Sequence, residues 1–393
     1  MAISAVVGYA QALNGSEAAT QATHQALDMV GKTPIMLGII FSSYHHPIHQ
    51  ILNGTSTLLA DVPLFGLSTI AEITPAGINQ RSVVIVLITG DGFSVRADWF
   101  PGFSEDSRSA TQKMAQASLL IDASGPLLLA VDGISGDAKQ LCNGLPPGNY
   151  SLAGGLAGGS QHLGRTYQIG GRQCGYGGMA AALISGKLSI GVGYGHGWQP
   201  VGKYFTVTHA SGPWLYTLDN HPVAEIYSDL FNYPISEWSI APLNEFIRLY
   251  PLGIEQRSND SLLIRSPLRM EPDGSLRMHT VIPEGVTGHL LVGSIDSCLQ
   301  AARQATKQAL LSLDSARPIL ALVITDIAWQ MLFEAEPGRE VRAIREVLGA
   351  DVPLVGGYTY GQIARVPQNA DNGGYPEFLN QHIQVVVFGE LEK

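Results

Sequence analysis

The stretch Asp61–Ile73, DVPLFGLSTIAEI, decides how this chain is read, because it occurs twice. The second copy is Asp351–Ile363, DVPLVGGYTYGQI. Asp, Val, Pro, Leu, Gly, Thr and Ile recur in register, and Glu72 is matched by Gln362. An internal repeat of this density ties the two ends of the chain into one architecture.

Each copy reads as a loop feeding a buried strand. Proline fixes φ and pushes the preceding residue towards extended backbone. Leu64 and Phe65 then read as strand residues. Gly66 and Gly356 permit a tight bend or a close backbone approach. Beyond the glycine stand polar groups: Ser68, Thr69 and Glu72 in the first copy, Tyr358, Thr359, Tyr360 and Gln362 in the second. The plain reading is a structural turn kept by duplication. The sharper one is a pocket floor, with polar groups raised at strand ends beside bare backbone.

Working outward, a buried apolar run precedes each copy. Pro34–Phe41, PIMLGIIF, and Pro318–Thr325, PILALVIT, are continuous and read as fully buried strands. Pro126–Val131, PLLLAV, gives the same signal and ends at Asp132. It leads to NYSLAGGLAGGS, Asn149–Ser160, which takes the place of the repeated motif. The cycle strand, helix, strand with glycine motif, strand therefore occurs near residues 34–88, 126–194 and 318–388. Ser16 is expected to cap the first helix. Met179–Ile184 and Leu188–Tyr194 read as a hairpin closed by Ser185-Gly186. The expected fold is α/β, with mixed sheets, packed helices and repeated strand-helix-strand-strand units. The expected organisation is an N-terminal strand and helix (1–32), then domains at 33–230 and 231–393.

Composition narrows the function. Charged residues are only 14% of 393, against a usual share of about 25%. The net charge of −10 and the lack of a Lys/Arg-rich block speak against nucleic acid, whose binding rests on phosphate neutralisation. Cys142, Cys174 and Cys298 are too few and too scattered for a disulfide frame. No apolar run approaches the roughly 18 residues of a membrane span. A soluble, cytoplasmic protein is expected.

Few motifs carry chemistry. His45 and His49 have the i, i+4 spacing of helix-borne metal ligands, but His46 and Pro47 replace the rest of a zincin motif. His196, between glycines and beside Trp198, would suit an axial ligand to a planar cofactor, or a stacking contact. The alternating Gly191, Gly193, Gly195 and Gly197 would let something lie flat on the strand. The run Gly154–Ser160 is not a dinucleotide fingerprint, and no nucleophile elbow is present. Glu72 is the best single acid, yet Gln362 in its sister copy argues against proton transfer. No catalytic residue is assigned, and the chain is read as a non-enzyme.

The combined residues resemble the FIST family. FSSY at Phe41–Tyr44, Gly66–Ile73, GWQPVG at Gly197–Gly202, Val207-Thr208 and LDN at Leu218–Asn220 are similar to its N-terminal domain. PEG at Pro283–Gly285, Gly356–Ile363 and the Asn380 segment are similar to its C-terminal domain. Asn220 replaces the usual glycine, and Gln362 the usual glutamate. The resemblance covers nearly the whole chain and implies a sensory domain that binds a small ligand, such as an amino acid, and signals through a partner. Some stand-alone bacterial members resemble haem-binding nitric-oxide sensors that act on a histidine kinase or a cyclic-di-GMP enzyme. On that implication His196 is the first haem ligand to consider, with His45, His46 and His49 in reserve and Arg165 and Arg172 near for the propionates. The alternative is a polar metabolite held near Ser68, Thr69, Glu72, Trp198, Thr359, Tyr360 and Gln362. An uncharacterised enzyme on the same scaffold is the third reading.

Overall fold

The computed structural model describes residues 2–119, 125–146, 148–160, 164–241, 243–256, 262–313, 315–367 and 374–391. The chain is built from three units of one plan. The first is β1 (Ser4–Gln11), α1 (Gly15–Val30), β2 (Ile35–Ser43), α2 (Ile48–Leu59), β3 (Leu64–Thr69), β4 (Glu72–Thr74), β5 (Gly77–Asn79) and β6 (Ser82–Thr89). The second is β7 (Phe93–Phe100), α3 (Ser107–Leu119), β8 (Leu127–Val131), α4 (Ala138–Gly144), β9 (Leu152–Leu156), β10 (Tyr167–Gly171), β11 (Gln173–Tyr176) and β12 (Met179–Gly186).

The third unit opens with β13 (Leu188–Gly195) and is then interrupted. The insert holds β14 (Trp198–Ser211), β15 (Trp214–Leu218), β16 (His221–Pro222), α5 (Val223–Phe231), α6 (Ile235–Trp238) and α7 (Leu243–Phe246). It continues with β17 (Leu252–Glu255), β18 (Leu262–Arg265), β19 (Pro267–Met270), β20 (Leu276–Met278) and β21 (Thr287–Gly293). The unit resumes with α8 (Ile295–Leu311), β22 (Arg317–Asp326), α9 (Ile327–Leu332), α10 (Arg339–Leu348), β23 (Leu354–Thr359), β24 (Gly361–Val366), β25 (Tyr375–Leu379) and β26 (Ile383–Glu390).

Three sheets share one strand order: β1-β6-β2-β3-β10-β11, β7-β12-β8-β9-β24-β25 and β13-β26-β22-β23-β4-β5. In each, one central pair is parallel and its neighbours run antiparallel. The last two strands of each sheet come from a different unit. Unit one sends β4–β5 to the third sheet, unit three sends β24–β25 to the second, and unit two sends β10–β11 to the first. The exchange closes on itself, so no unit completes its sheet alone.

The repeated glycine has a single cause in all three units. Gly66, Gly154 and Gly356 stand opposite Ile40, Leu129 and Val323 in the parallel pairs. A Cβ there would lie 2.6, 2.1 and 1.9 Å from the carbonyl oxygens of those partners. The inner faces of the sheets meet in one apolar core, to which Ile39, Leu128 and Leu322 contribute from matching positions. Helices cover the outer faces, where Ala18, Ala22 and Ala26 of α1 pack on the first sheet and Ala302, Ala305 and Ala309 of α8 on the third. The insert forms a fourth sheet with its own core, including Phe205, Val207, Tyr227, Trp238 and Met278.

The α/β class, the mixed sheets and the threefold cycle expected from the sequence are present. The units begin one strand and one helix earlier than the apolar runs suggested, because β1, β7 and β13 lie before those runs. The expected hairpin of Met179–Ile184 with Leu188–Tyr194 does not form. β12 pairs with β7 and β8, whereas β13 pairs with β26 in another sheet. A turn at Ser185-Gly186 fixes a change of direction but not the partner. The first helix is capped by Asn14, whose Oδ1 accepts from the N–H groups of Ser16 and Glu17, and not by Ser16 itself.

Candidate functional site

The polar groups of the repeated motif are consumed by the fold. Ser68, Thr69, Glu72, Thr359 and Gln362 are fully buried. Glu72 accepts at Oε1 from Thr69 Oγ1 (2.7 Å) and at Oε2 from the Ser82 amide (3.0 Å) and Ser82 Oγ (2.6 Å). Burial still pushes its carboxyl up to about 7. Ser68 Oγ donates to the Gly158 carbonyl and accepts from the Tyr167 amide. Gln362 donates to Thr359 Oγ1 and accepts from the His382 amide. Tyr360 is almost wholly buried and donates to the Ser160 carbonyl.

His196 lies at the end of β13, edge-on to His382, with ring centres 4.9 Å apart. Burial lowers the imidazole of His196 to about 4 and that of His382 to about 3. Because His382 also bonds Gln362, the structure joins the His196 stretch to the second motif, a link invisible in the sequence. Trp198 is buried 6.1 Å from Trp329. His45 and His49 are exposed, and His45 packs on Tyr44. Among the described residues no group of three His, Cys, Asp or Glu is placed to hold a metal ion.

The glycine face expected to take a planar group carries α8 instead. A Cβ at Gly193 would lie 1.9 Å from the Ala305 carbonyl oxygen, and one at Gly191 2.0 Å from that of Ala309. Gly197 packs on Cys298 in the same way, at 2.3 Å. These residues do not fit a haem on that face. Arg172 is committed to Asp61 at 2.9 Å. Cys174 is half-buried, and desolvation raises its thiol above the usual range, which suits packing and not reactivity.

An open polar cleft lies elsewhere, at the carboxyl end of β8. Ser104, Asp132, Ser135, Arg165, Thr166 and Tyr176 line it, and its volume is about 290 Å³. The carboxyl ends of parallel strands are where α/β sheets place ligands. Asp132 is the residue after β8. Its Oδ1 accepts from Thr166 Oγ1, and its Oδ2 accepts from the Ser135 amide at 2.9 Å. Thr166 Oγ1 in turn accepts from the Gly133 amide at 3.0 Å, so the hydroxyl is fixed on both sides. Burial raises the Asp132 carboxyl, and these hydrogen bonds oppose the shift. Arg165 is exposed, with its guanidinium 5.6 Å from the centre of the Tyr176 ring. A second cleft, of about 430 Å³, lies on the fourth-sheet insert beside Asp229 and Tyr233.

The sequence reading reached Arg165 but missed Asp132, Thr166 and Tyr176 as site residues. A signal existed. PLLLAV ends in Asp132 as PILALVIT ends in Asp326, so two buried runs deliver a carboxylate to one place in the fold. Gln168-Ile169 was a second missed signal. It stands opposite Leu67 and Gly66 just as Glu72-Ile73 stands opposite Gly357 and Gly356, and is the third copy of the motif's end. Extra chain between Ala157 and Gln168 hides the match.

No helix among the described residues is long and apolar enough to cross a membrane. Among curated proteins none matches the chain in sequence. Solved structures with partial likeness include PurLQS from Thermotoga maritima, at 8% identity and a TM-score of 0.27, covering 99% of this chain and 73% of that one. Another is phosphoribosylformylglycinamidine synthase II from the same organism, at 9% identity and a TM-score of 0.24, covering 99% and 72%. At those values nothing about this chain follows from them. Models of the FIST N domain and the FIST C domain match residues 36–221 and 224–365, the boundary falling inside the fourth-sheet insert. The chain belongs to the FIST family, whose domains are small-ligand sensory modules of signalling proteins.

Proposed function

We propose that this protein is a non-enzymatic sensor of a small polar metabolite, that the Asp132 cleft is its ligand site, and that it signals through a partner in trans. A histidine kinase or a cyclic-di-GMP enzyme is the kind of partner the family implies. One observation carries the reading. The cleft of about 290 Å³ keeps an exposed guanidinium, Arg165, beside the Tyr176 ring, whereas the polar groups of the repeated motif are buried and saturated by internal hydrogen bonds. Arg165 makes no ion pair among the described residues, and Asp132 is turned to a fixed hydroxyl and an amide. That arrangement suits binding and orientation more than turnover.

Haem-based nitric-oxide sensing is the second reading, and the packing of α8 on the β13 glycines speaks against it at His196. The test is a thermal screen of small metabolites, amino acids included, against the whole protein. A ligand at a hundred times its Kd adds about 2.7 kcal/mol of stability by mass action. Arg165→Ala and Tyr176→Ala should abolish the response. Stabilisation that ignores both variants would move the site elsewhere. A haem absorption band lost in His196→Ala would restore the haem reading.

A further inference from the structure

The helical layer of the insert, α5 to α7, has one satisfied side. Val223, Ala224 and Tyr227 of α5 and Trp238 of α6 are buried in the fourth-sheet core. Phe231 and Tyr233 close on the Trp238 ring, with ring centres 5.4 and 6.4 Å away, so the short helices are anchored around one indole. Toward solvent stand Leu230, Tyr233, Ile235, Ile240 and Phe246, with Leu230 51% and Ile240 62% exposed. Single exposed apolar side chains are ordinary, but five large ones in so short a stretch mark a surface that is covered in use.

The same layer carries charge of one sign. Between Lys203 and Arg248 the sequence has no Lys or Arg, but it has Asp219, Glu225, Asp229, Glu237 and Glu245. Glu225, Asp229 and Glu237 are exposed and make no ion pair among the described residues. The elements packed on the layer do not supply a cation. β15 and β16 hold no Lys or Arg, Arg269 of β19 is paired with Glu271 at 2.9 Å, and Arg248 is buried. The cleft of about 430 Å³ opens between Ser228, Asp229, Asn232, Tyr233 and Pro234, and Asp229 is the charged residue of that lining.

An apolar face mixed with unpaired acids selects its occupant by charge. A second copy of this chain would bring the same acids against it, and an anionic lipid surface would be repelled. We infer that this face docks a basic amphipathic helix of a partner protein. The apolar side of that helix lies on Leu230, Tyr233 and Ile235, and one of its Lys or Arg side chains enters the cleft at Asp229. The inference rests on the reading that the protein signals through a partner in trans, and not on the Asp132 cleft.

The probe is a helical peptide of about 18 residues, five turns, built from leucine and lysine with the leucines on one face. One control has the same composition with the leucines scattered, and the other has the same pattern with glutamate for lysine. Each is titrated against the whole protein by fluorescence anisotropy. The basic amphipathic peptide should bind at least tenfold more tightly than either control, and salt should weaken it. Leu230→Ser/Ile235→Ser and Asp229→Lys/Glu237→Lys should each weaken it tenfold or more. All four side chains are exposed, so these variants leave the core intact. Asp28→Lys/Glu105→Lys makes the same change in net charge at exposed acids elsewhere and should leave the affinity nearly unchanged.

Equal loss in the two lysine variants would mean attraction to net charge alone and would overturn the surface. Absence of binding, or binding that the serine variant leaves intact, would overturn it too, and the partner reading would survive with its contact elsewhere. Sedimentation of the wild type checks the other occupants. Self-association lost in the serine variant would make a second copy the occupant, and would remove the partner in trans from this face as well. Binding to anionic phospholipid vesicles, lost in the same variant, would replace the partner helix by a membrane.

Discussion

Glu72 and Gln362 occupy one position in two different sheets and are clamped alike. Each side chain bonds the threonine three residues before it, Thr69 or Thr359. Each also accepts from the amide of the residue that leads into the unit's last strand, Ser82 or His382. The clamp ties the exchanged hairpin to the sheet its unit came from. Its job is architectural, which is why an amide serves as well as an acid.

Glu72→Gln should therefore copy the third unit. The Glu72 carboxyl is raised from 4.5 to about 7, chiefly by burial. A raised acid gives stability that is complete below its unfolded pKa and is lost as pH rises through the folded one. The glutamine variant mimics the protonated form at every pH. Urea unfolding should find it more stable than wild type at pH 8 by roughly 1–3 kcal/mol, at 1.36 kcal/mol per pKa unit. The gap should close by pH 5. A variant weaker than wild type at pH 8 would sink this account.

Gln168 is the third member of the set and lacks the clamp. The partners that Thr69 and Ser82 provide for Glu72 are replaced by Ala157 and Gly178, neither with a polar side chain. Gln168 is fully buried, and neither its Oε1 nor its Nε2 has a hydrogen-bond partner among the described residues. The Trp99 ring covers Gly175, its cross-strand neighbour. Unpaired buried amides cost about 1–3 kcal/mol. Gln168→Leu should raise stability by about 1–2 kcal/mol in the same unfolding assay, and an equal loss would mean that the amide has a role the packing does not reveal.

The glycines of β13 test the packing of α8. Gly193→Ala would put a methyl 1.9 Å from the Ala305 carbonyl oxygen, a backbone atom that cannot step aside. Overpacking against backbone should cost about 3 kcal/mol or more and reduce soluble yield. Gly195→Ala meets Ala301 at 3.2 Å and should be milder. Equal tolerance of both would show that the helix does not seal this face.

The sequence carried the repeat well, because buried parallel strands and a compulsory glycine leave letters behind. Gly66 and Gly356 are forced by their neighbours' carbonyls, and the apolar runs by burial on both faces. What it could not carry was partnership. Nothing in LSIGVGYG says that β13 belongs to a unit that resumes a whole inserted sheet later, or that its glycines face a helix. The hydroxyls and acids of the motif read as a pocket floor because a buried, satisfied Thr69 and an exposed, binding one look alike in one dimension. Asp132 hid for the opposite reason: it closes an apolar run and reads as the start of a turn.

Acid should expose a further property of the His196 region. Burial holds His196 and His279 at about 4 and His382 at about 3, against 6.5 in an unfolded chain. For a depressed imidazole, stability is complete above the unfolded pKa and is lost as pH falls towards the folded one. His196 and His382 face each other, so charging one raises the cost of charging its neighbour. His196→Gln removes one such proton without emptying the space. Glu72 and Asp326 shift the opposite way, but they are common to both proteins and cancel in the difference. Between pH 7 and pH 5 the variant should therefore lose about 1–2 kcal/mol less stability than wild type, at 1.36 kcal/mol per unit. Parallel pH profiles would mean that His196 is already protonated, or already free to titrate, in the folded protein.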